Sequence, residues 1–337
     1  MLLYANSKLL TNNMGVWDIF NFIRSDELQD MVENKSKQIL STPDIVDMNN
    51  VKYTPLSLNR YGEYEGYNIT TSLGYKFDLV RSYKMHIGAE KSYKPVMSLK
   101  VGDTVYLTPR LSHSECSVSM QSSSATYYLD DELARLTAII LAEGATCTED
   151  SVLIEAVPDY VVDDKLIAYL KMCDTVVLKM DKLYTFKIIS SELIFMLKYK
   201  LNIYEDATPL FNMLLKAPLH SVSVFLDVYC RLRLSEYELD SKFSKEIQYL
   251  LFARLGKVSK LVEEGLSFFL NYEGLNKYLC EVGALVDNNI TTKSRGVPLI
   301  APSIVEDTVV NIRRVKGEAF EIKADKDFES PILFGLY

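Results

Sequence analysis

The period of the apolar residues changes twice along the chain. Up to about residue 125, Ile69–Val80 and Val96–Leu107 alternate or are β-rich around Gly74 and Gly102, which predicts two strand-turn-strand units. Ser112–Ser124 is Ser-rich without a period and reads as a linker or exposed loop. From Asp130 the period becomes helical: Leu133, Leu136, Ala138, Ile140 and Leu141 follow an Asp-Asp-Glu start suited to a helix N-terminus. Further helices are predicted at Asp164–Met172, Ser190–Leu201, Ser221–Leu234, Ser244–Leu255 and Leu275–Val282, with β-like pieces at Ser151–Ala156 and Thr175–Ile189 between them. The order helix, strands, helix, short helix recurs, which suggests an internal duplication. Thr308–Ile322 forms a final β-rich segment.

Length and composition bound this picture. With 337 residues, 48% of them apolar, the chain can bury two substantial cores, and two domains are expected. No apolar run approaches the roughly 20 residues of a membrane span, and the first residues lack the sections of a signal peptide, so a soluble, intracellular protein without a membrane partner is expected. The five cysteines, Cys116, Cys147, Cys173, Cys230 and Cys280, are scattered without CxxC spacing and read as reduced thiols. The net charge of -8 weighs against a large nucleic-acid surface. Residues 126–285 hold 24 Asp and Glu against 17 Lys and Arg, so the acidity is concentrated there.

Asn6–Thr11, Gly15 and Ile19 match the first sequence block of the Hint fold shared by inteins and hedgehog autoprocessing domains. Thr71–Met85 resembles the second block, Ser98–Asp103 the turn that follows it, and Asp307–Ile312 with Ala319–Phe334 the last two. Between them, Leu133–Gly144 resembles a LAGLIDADG helix, with Ala138 and Ala142 as the small residues and Glu143 at the metal-binding acid. Phe225–Leu234 is similar to the second such helix, flanked by Pro209–Pro218 and Ser244–Gly256. The resemblance implies an α+β protein. Residues 1–125 plus 286–337 would form a β-rich Hint/intein-like domain. Residues 126–285 would form an inserted LAGLIDADG domain of two αββαββα-type repeats, about 130–208 and 217–285.

It also shows which chemistry is missing. Splicing begins with attack by a Cys, Ser or Thr side chain, and that position falls on Leu2, which has no nucleophile. The Thr and His of the second block fall on Val80 and Tyr83, and a phenol of ordinary pKa near 10 is a poor proton shuttle at neutral pH. The Asn that should cyclise is replaced by the ending Leu336-Tyr337. A chain starting at Met1 is expected to be free-standing, with no segment to splice. In the inserted domain the second metal acid falls on Arg233, which offers neither lone pair nor negative charge. Two unit charges about 4 Å apart at an effective dielectric near 20 interact by about 4 kcal/mol, so an arginine beside Glu143 would stand where a divalent cation should. Arg231 adds charge nearby, and Val228 and Leu234 fill the family's two glycine positions. Arg231 and Arg233 read most simply as solvated residues, an ion pair with Glu143 being the sharper alternative. His86, His113 and His220 lack ligand spacing and read as structural or exposed.

The favoured expectation is a domesticated protein, dead for splicing and cleavage, encoded by a phage or other mobile element and binding a protein partner, without a cofactor, in the host cytoplasm or with the virion. One alternative is a homing endonuclease cutting double-stranded DNA with Mg²⁺ through Glu143 and another acid such as Asp227, on a basic sheet containing Lys179, Lys182 and Lys187. Another is sequence-specific DNA binding without cleavage.

Overall fold

The computed structural model describes residues 2–5, 7–11, 16–19, 36–38, 44–46, 52–87, 92–107, 118–121, 126–239, 242–262, 265–269, 272–281, 305–326 and 333–335. In chain order the strands begin with β1 (Leu2–Tyr4), β2 (Ser7–Leu10), β3 (Val16–Asp18), β4 (Ser36–Gln38), β5 (Ile45–Val46) and β6 (Lys52–Tyr53). Then come β7 (Pro55–Thr71), β8 (Lys76–Val80), β9 (Lys84–Ile87), β10 (Ser92–Pro95), β11 (Thr104–Leu107), β12 (Ser119–Gln121) and β13 (Thr126–Tyr128). The helical region follows: α1 (Asp131–Glu143), β14 (Thr146–Cys147), β15 (Val152–Pro158), α2 (Asp164–Met172), β16 (Thr175–Met180), β17 (Leu183–Ile188), α3 (Ser191–Phe195) and α4 (Thr208–Leu214). The series recurs with α5 (Leu219–Arg233), β18 (Leu234–Ser235), β19 (Glu238–Leu239), α6 (Ser244–Leu255), β20 (Ser259–Val262), β21 (Gly265–Phe268) and α7 (Tyr272–Glu281), and the chain ends with β22 (Val305–Ala324) and β23 (Leu333–Gly335). The fold is mixed α+β with antiparallel sheets, and no helix among the described residues is long and apolar enough to cross a membrane.

Two compact units emerge. The first comprises Met1–Ser114, Leu251–Glu263 and Ala301–Tyr337, the second Glu115–Leu250 and Glu264–Ile300. Leu251–Glu263, which the sequence pattern assigns to the insertion, therefore groups with the first unit.

The first unit is organised by β7 and β22, which pair antiparallel from Val309 opposite Thr71 to Ala324 opposite Pro55. Around them the sheet runs β10-β9-β11-β22-β7-β4, with β1 added to β22 and β8 to β7. Beneath lies an apolar cluster of Leu3, Leu9, Ile19, Ile45, Tyr53, Leu58, Phe320 and Ile322. Tight turns close the sheet where the sequence supplies glycine: Gly74, at φ +91°, lets the chain turn from β7 into β8. The strand expected at Val96 is instead a 3₁₀ turn, Val96–Ser98, because Ser98 donates its hydroxyl to the Pro95 carbonyl and closes the backbone on itself. Of the expected linker Ser112–Ser124, residues 119–121 form β12, which pairs with β13; residues 112–117 and 122–124 lie outside the described residues.

In the second unit, α1 starts on Asp130, whose carboxylate accepts the Leu133 N–H, and ends on Gly144 at φ +84°. Asp163 caps α2 in the same way. The order helix, two strands, helix, two strands, helix follows from α1 and again from α5. The first sheet runs β14-β15-β17-β16, and β18, β19 and β21 pair in the order that matches β14, β15 and β17. Helices α1 and α5 pack against each other. They are parallel and in register: at their starts Ser221 donates to Asp131 at 2.9 Å and His220 approaches the same carboxylate at 3.0 Å, while Arg233 at the end of α5 acts on Glu143 at the end of α1. Both 131 and 221, and 143 and 233, are 90 residues apart. Ala138 and Val228 share that spacing, and both are completely buried at the helix pair. A larger side chain there has nowhere to go, so Ala138→Leu should cost about 1–3 kcal/mol, read as a lower denaturant midpoint.

Candidate functional site

In the first unit three positions singled out by sequence come together. Tyr4, Val80 and Ala319 form a small buried cluster, and Leu2, Tyr83, Tyr64 and Val315 pack against it. Leu2 reaches it from β1, paired with Glu321; Val80 ends β8, and the Val80 carbonyl accepts the Tyr83 N–H in the turn beyond. Leu2, Val80 and Tyr83 thus converge, and they bring two aliphatic chains and a phenol. Burial, with a lesser contribution from Tyr93, pushes the Tyr83 phenol above its ordinary pKa, so it holds its proton throughout the neutral range. Leu336 and Tyr337 lie outside the described residues, although β23 just before them pairs with β2 and approaches β8.

Tyr4, not flagged by the sequence, organises this place. Its ring is buried, its hydroxyl donates to the Tyr64 carbonyl at 3.1 Å, and burial together with Asp78 and Glu65 raises its pKa to about 12. Space for the ring comes from two glycines on the β7–β22 pair, Gly66 and Gly317. A cleft of about 340 Å³ opens beside it, bounded by Asp78, Lys316 and Glu318. The signal was present in the sequence as Gly66 and Gly317, yet nothing local says that they face one tyrosine.

In the second unit Glu143 stands exposed at the end of α1. Desolvation raises its pKa, and Arg233 opposes that rise, so the guanidinium lies close enough to act on the carboxylate. Among the described residues the two form no ion pair, and Arg233 is itself exposed. The donor set fits a divalent cation poorly: one carboxylate with an elevated pKa and a facing cation, where oxygen ligands from both helices are needed.

Asp227, the other acid considered, is engaged by α7. Its Oδ1 accepts the Tyr272 hydroxyl at 2.7 Å and the Asn276 side-chain amide at 2.8 Å, both from α7. Arg231 donates through Nε to the same Tyr272 oxygen at 2.6 Å and through Nη1 to the Tyr160 carbonyl at 2.9 Å. This network ties α5 to α7 and to the backbone at Tyr160. His220, expected to be structural or exposed, bonds the Asp131 carboxylate; despite burial, His220 and Ser221 bring that carboxyl below its ordinary range.

The three lysines do not share a surface. In the β16–β17 hairpin Lys179 lies opposite Tyr184 and Lys187 opposite Val176. Neighbouring pairs in a ladder face opposite sides, so Lys179 stands on the face of Phe186 and Ile188, with its ammonium over the Tyr184 ring and 3.9 Å from Asp159. Lys187 points the other way, and Lys182 sits in the turn.

No family model matches the chain, and no curated protein matches it. Among solved structures, one titled as the crystal structure of the transcription factor IIB Mja mini-intein is similar at 16% identity and a TM-score of 0.24, over 32% of this chain and 67% of that one.

Proposed function

We propose that this protein is a Hint-like domain carrying a LAGLIDADG-type insertion in which both reaction centres have been replaced, leaving a non-catalytic binding or structural module of phage or mobile-element origin that engages a protein partner. The observation that carries this reading is the cation at the end of α5. The duplicated order, the parallel α1–α5 pair and the 90-residue spacing support reading Arg233 as the counterpart of Glu143. Cleavage of a phosphodiester by shared metal ions needs acids at both ends, and the nearest other acid on α5, Asp227, is held by Tyr272 and Asn276.

Three features support the same reading for splicing and DNA contact. Leu2 and Val80 provide no nucleophile or hydroxyl, and the Tyr83 phenol remains protonated. Lys179 and Lys187 stand on opposite faces of their hairpin, which supports a reading without a shared basic surface for a duplex there.

Incubating the purified full chain with Mg²⁺ and a randomised duplex DNA pool should leave the DNA uncut. It should also give no retained complex at about 50 mM salt, where phosphate contacts are strong. Double-strand breaks that disappear in Glu143→Gln would overturn the proposal, and retention without breaks would replace it with a DNA-binding function.

A further inference from the structure

The outer edge of the first sheet of the second unit offers an interface that is independent of the proposed loss of catalysis. Strand β16 is the end of the order β14-β15-β17-β16, with β17 on one side only. The hairpin turns through Asp181 and Lys182, with Met180 opposite Leu183, and the Ile189 N–H donates to the Asp174 carbonyl at 3.2 Å. Hydrogen-bonded pairs alternate along an antiparallel ladder, so Asp174, Val176, Leu178 and Met180 direct their backbone groups toward β17. Thr175, Val177 and Lys179 therefore direct theirs outward, and among the described residues no backbone hydrogen bond outside β16–β17 reaches them. An open row of donors and acceptors is a template for another strand.

The side chains on one face of this edge are apolar and open to solvent. Val176 is 45% exposed, Leu178 56%, Met180 76% and, on β17, Leu183 44%. By the ladder pairing these four share the face that carries Thr185 and Lys187. Exposed hydrophobic edges are usually shortened, charged or covered; along 176–180 the one charge, Lys179, stands on the opposite face from Val176, Leu178 and Met180, so it does not interrupt the apolar row.

We propose that β16 pairs antiparallel with β16 of a second copy of this chain, centred on Val177 facing its counterpart. In that register Thr175 meets Lys179 and Val177 meets Val177 as hydrogen-bonded pairs, which uses the outward backbone groups of all three residues. Val176 meets Leu178 in the closer, non-hydrogen-bonded pairs, twice by symmetry, on the apolar face. Asp174 falls opposite Met180, so no like charges face each other. The edge is self-complementary in both backbone and side chains, which is what a two-fold interface requires and what an unrelated strand would match only by its own sequence.

Sedimentation equilibrium of the full chain across protein concentration tests this, with backbone circular dichroism confirming that each variant is folded. The wild type should dimerise in the micromolar range. Leu178→Glu and Val176→Lys, each at an exposed position, should each weaken the dimer by about tenfold through loss of apolar cross-strand pairs and burial of charge. Combined in one chain, they should restore it to within about threefold, because the introduced lysine of each copy then faces the introduced glutamate of the other, twice by symmetry. A wild type that stays monomeric at about 100 μM would overturn the proposal, leaving the edge to a strand of some other protein. So would a dimer indifferent to both substitutions, or a double variant no tighter than the singles.

Discussion

Replacing Gly66 by alanine should lower the stability of the chain by at least about 3 kcal/mol, the upper part of the range for overpacking. A Cβ built at Gly66 would stand 2.2 Å from the Leu79 carbonyl oxygen and 2.4 Å from the Tyr4 hydroxyl oxygen. The first obstacle is backbone, fixed by the pairing of Gly66 with Val80 and of Tyr67 with Leu79, so rotating a side chain cannot relieve it. The second is the buried phenol at the centre of the Leu2–Val80–Tyr83 cluster. Gly62 provides the contrast. It lies at a register slip of the same strand with φ +91°, and a Cβ there meets nothing within 4 Å. Gly62→Ala should therefore cost only the left-handed backbone penalty, about 1–2 kcal/mol. Chemical denaturation of the two variants, compared by midpoint at equal slope, measures the difference; equal losses would mean that Tyr4 is not seated between the glycines.

Arg233→Asp should have the largest functional effect, a gain. It exchanges a cation for a carboxylate at the end of α5, beside Glu143, and so reverses the sign of the local field. For a divalent ion held beside Glu143, replacing a like charge with an opposite one is worth several kcal/mol at an effective dielectric near 20. The variant should bind Mn²⁺ in a saturable fashion that Glu143→Gln abolishes. Two carboxylates brought together without metal repel, so Arg233→Asp should also be less stable than the wild type in chelator and recover on adding Mn²⁺. A variant that binds no more Mn²⁺ than the wild type would show that positions 143 and 233 are too far apart to share an ion.

The helical half of the molecule was legible because its signals are local. Asp163-Asp164 followed by Leu166 and Leu170 specifies a cap and one apolar face, and α2 spans Asp164–Met172 as the pattern predicts. The same holds for α6, Ser244–Leu255. Strand β7 was not legible beyond its last residues: Pro55–Thr71 contains Gly62, Gly66, Asn59 and Asn68 and alternates weakly. What holds it extended is β22, some 250 residues away in sequence, together with β8 and β4. The proximity of Arg233 to Glu143 followed from motif spacing, whereas the capture of Asp227 by Tyr272 and Asn276 depends on how α7 docks and left no trace in either segment. Grouping Lys179 with Lys187 failed for a related reason. Which face a lysine takes is set by hairpin register, and Asp181-Lys182 makes a two-residue turn without the glycine that would have announced it, with Asp181 at φ +53°.

Whether the second unit keeps a metal-binding scaffold without its metal chemistry is tested most directly by calorimetric titration of the wild-type chain with Mn²⁺ and Mg²⁺, alongside Glu143→Gln. With Arg233 facing Glu143, wild type and variant should give the same weak, non-saturating heats. A saturable site in the wild type that vanishes in Glu143→Gln would contradict this account.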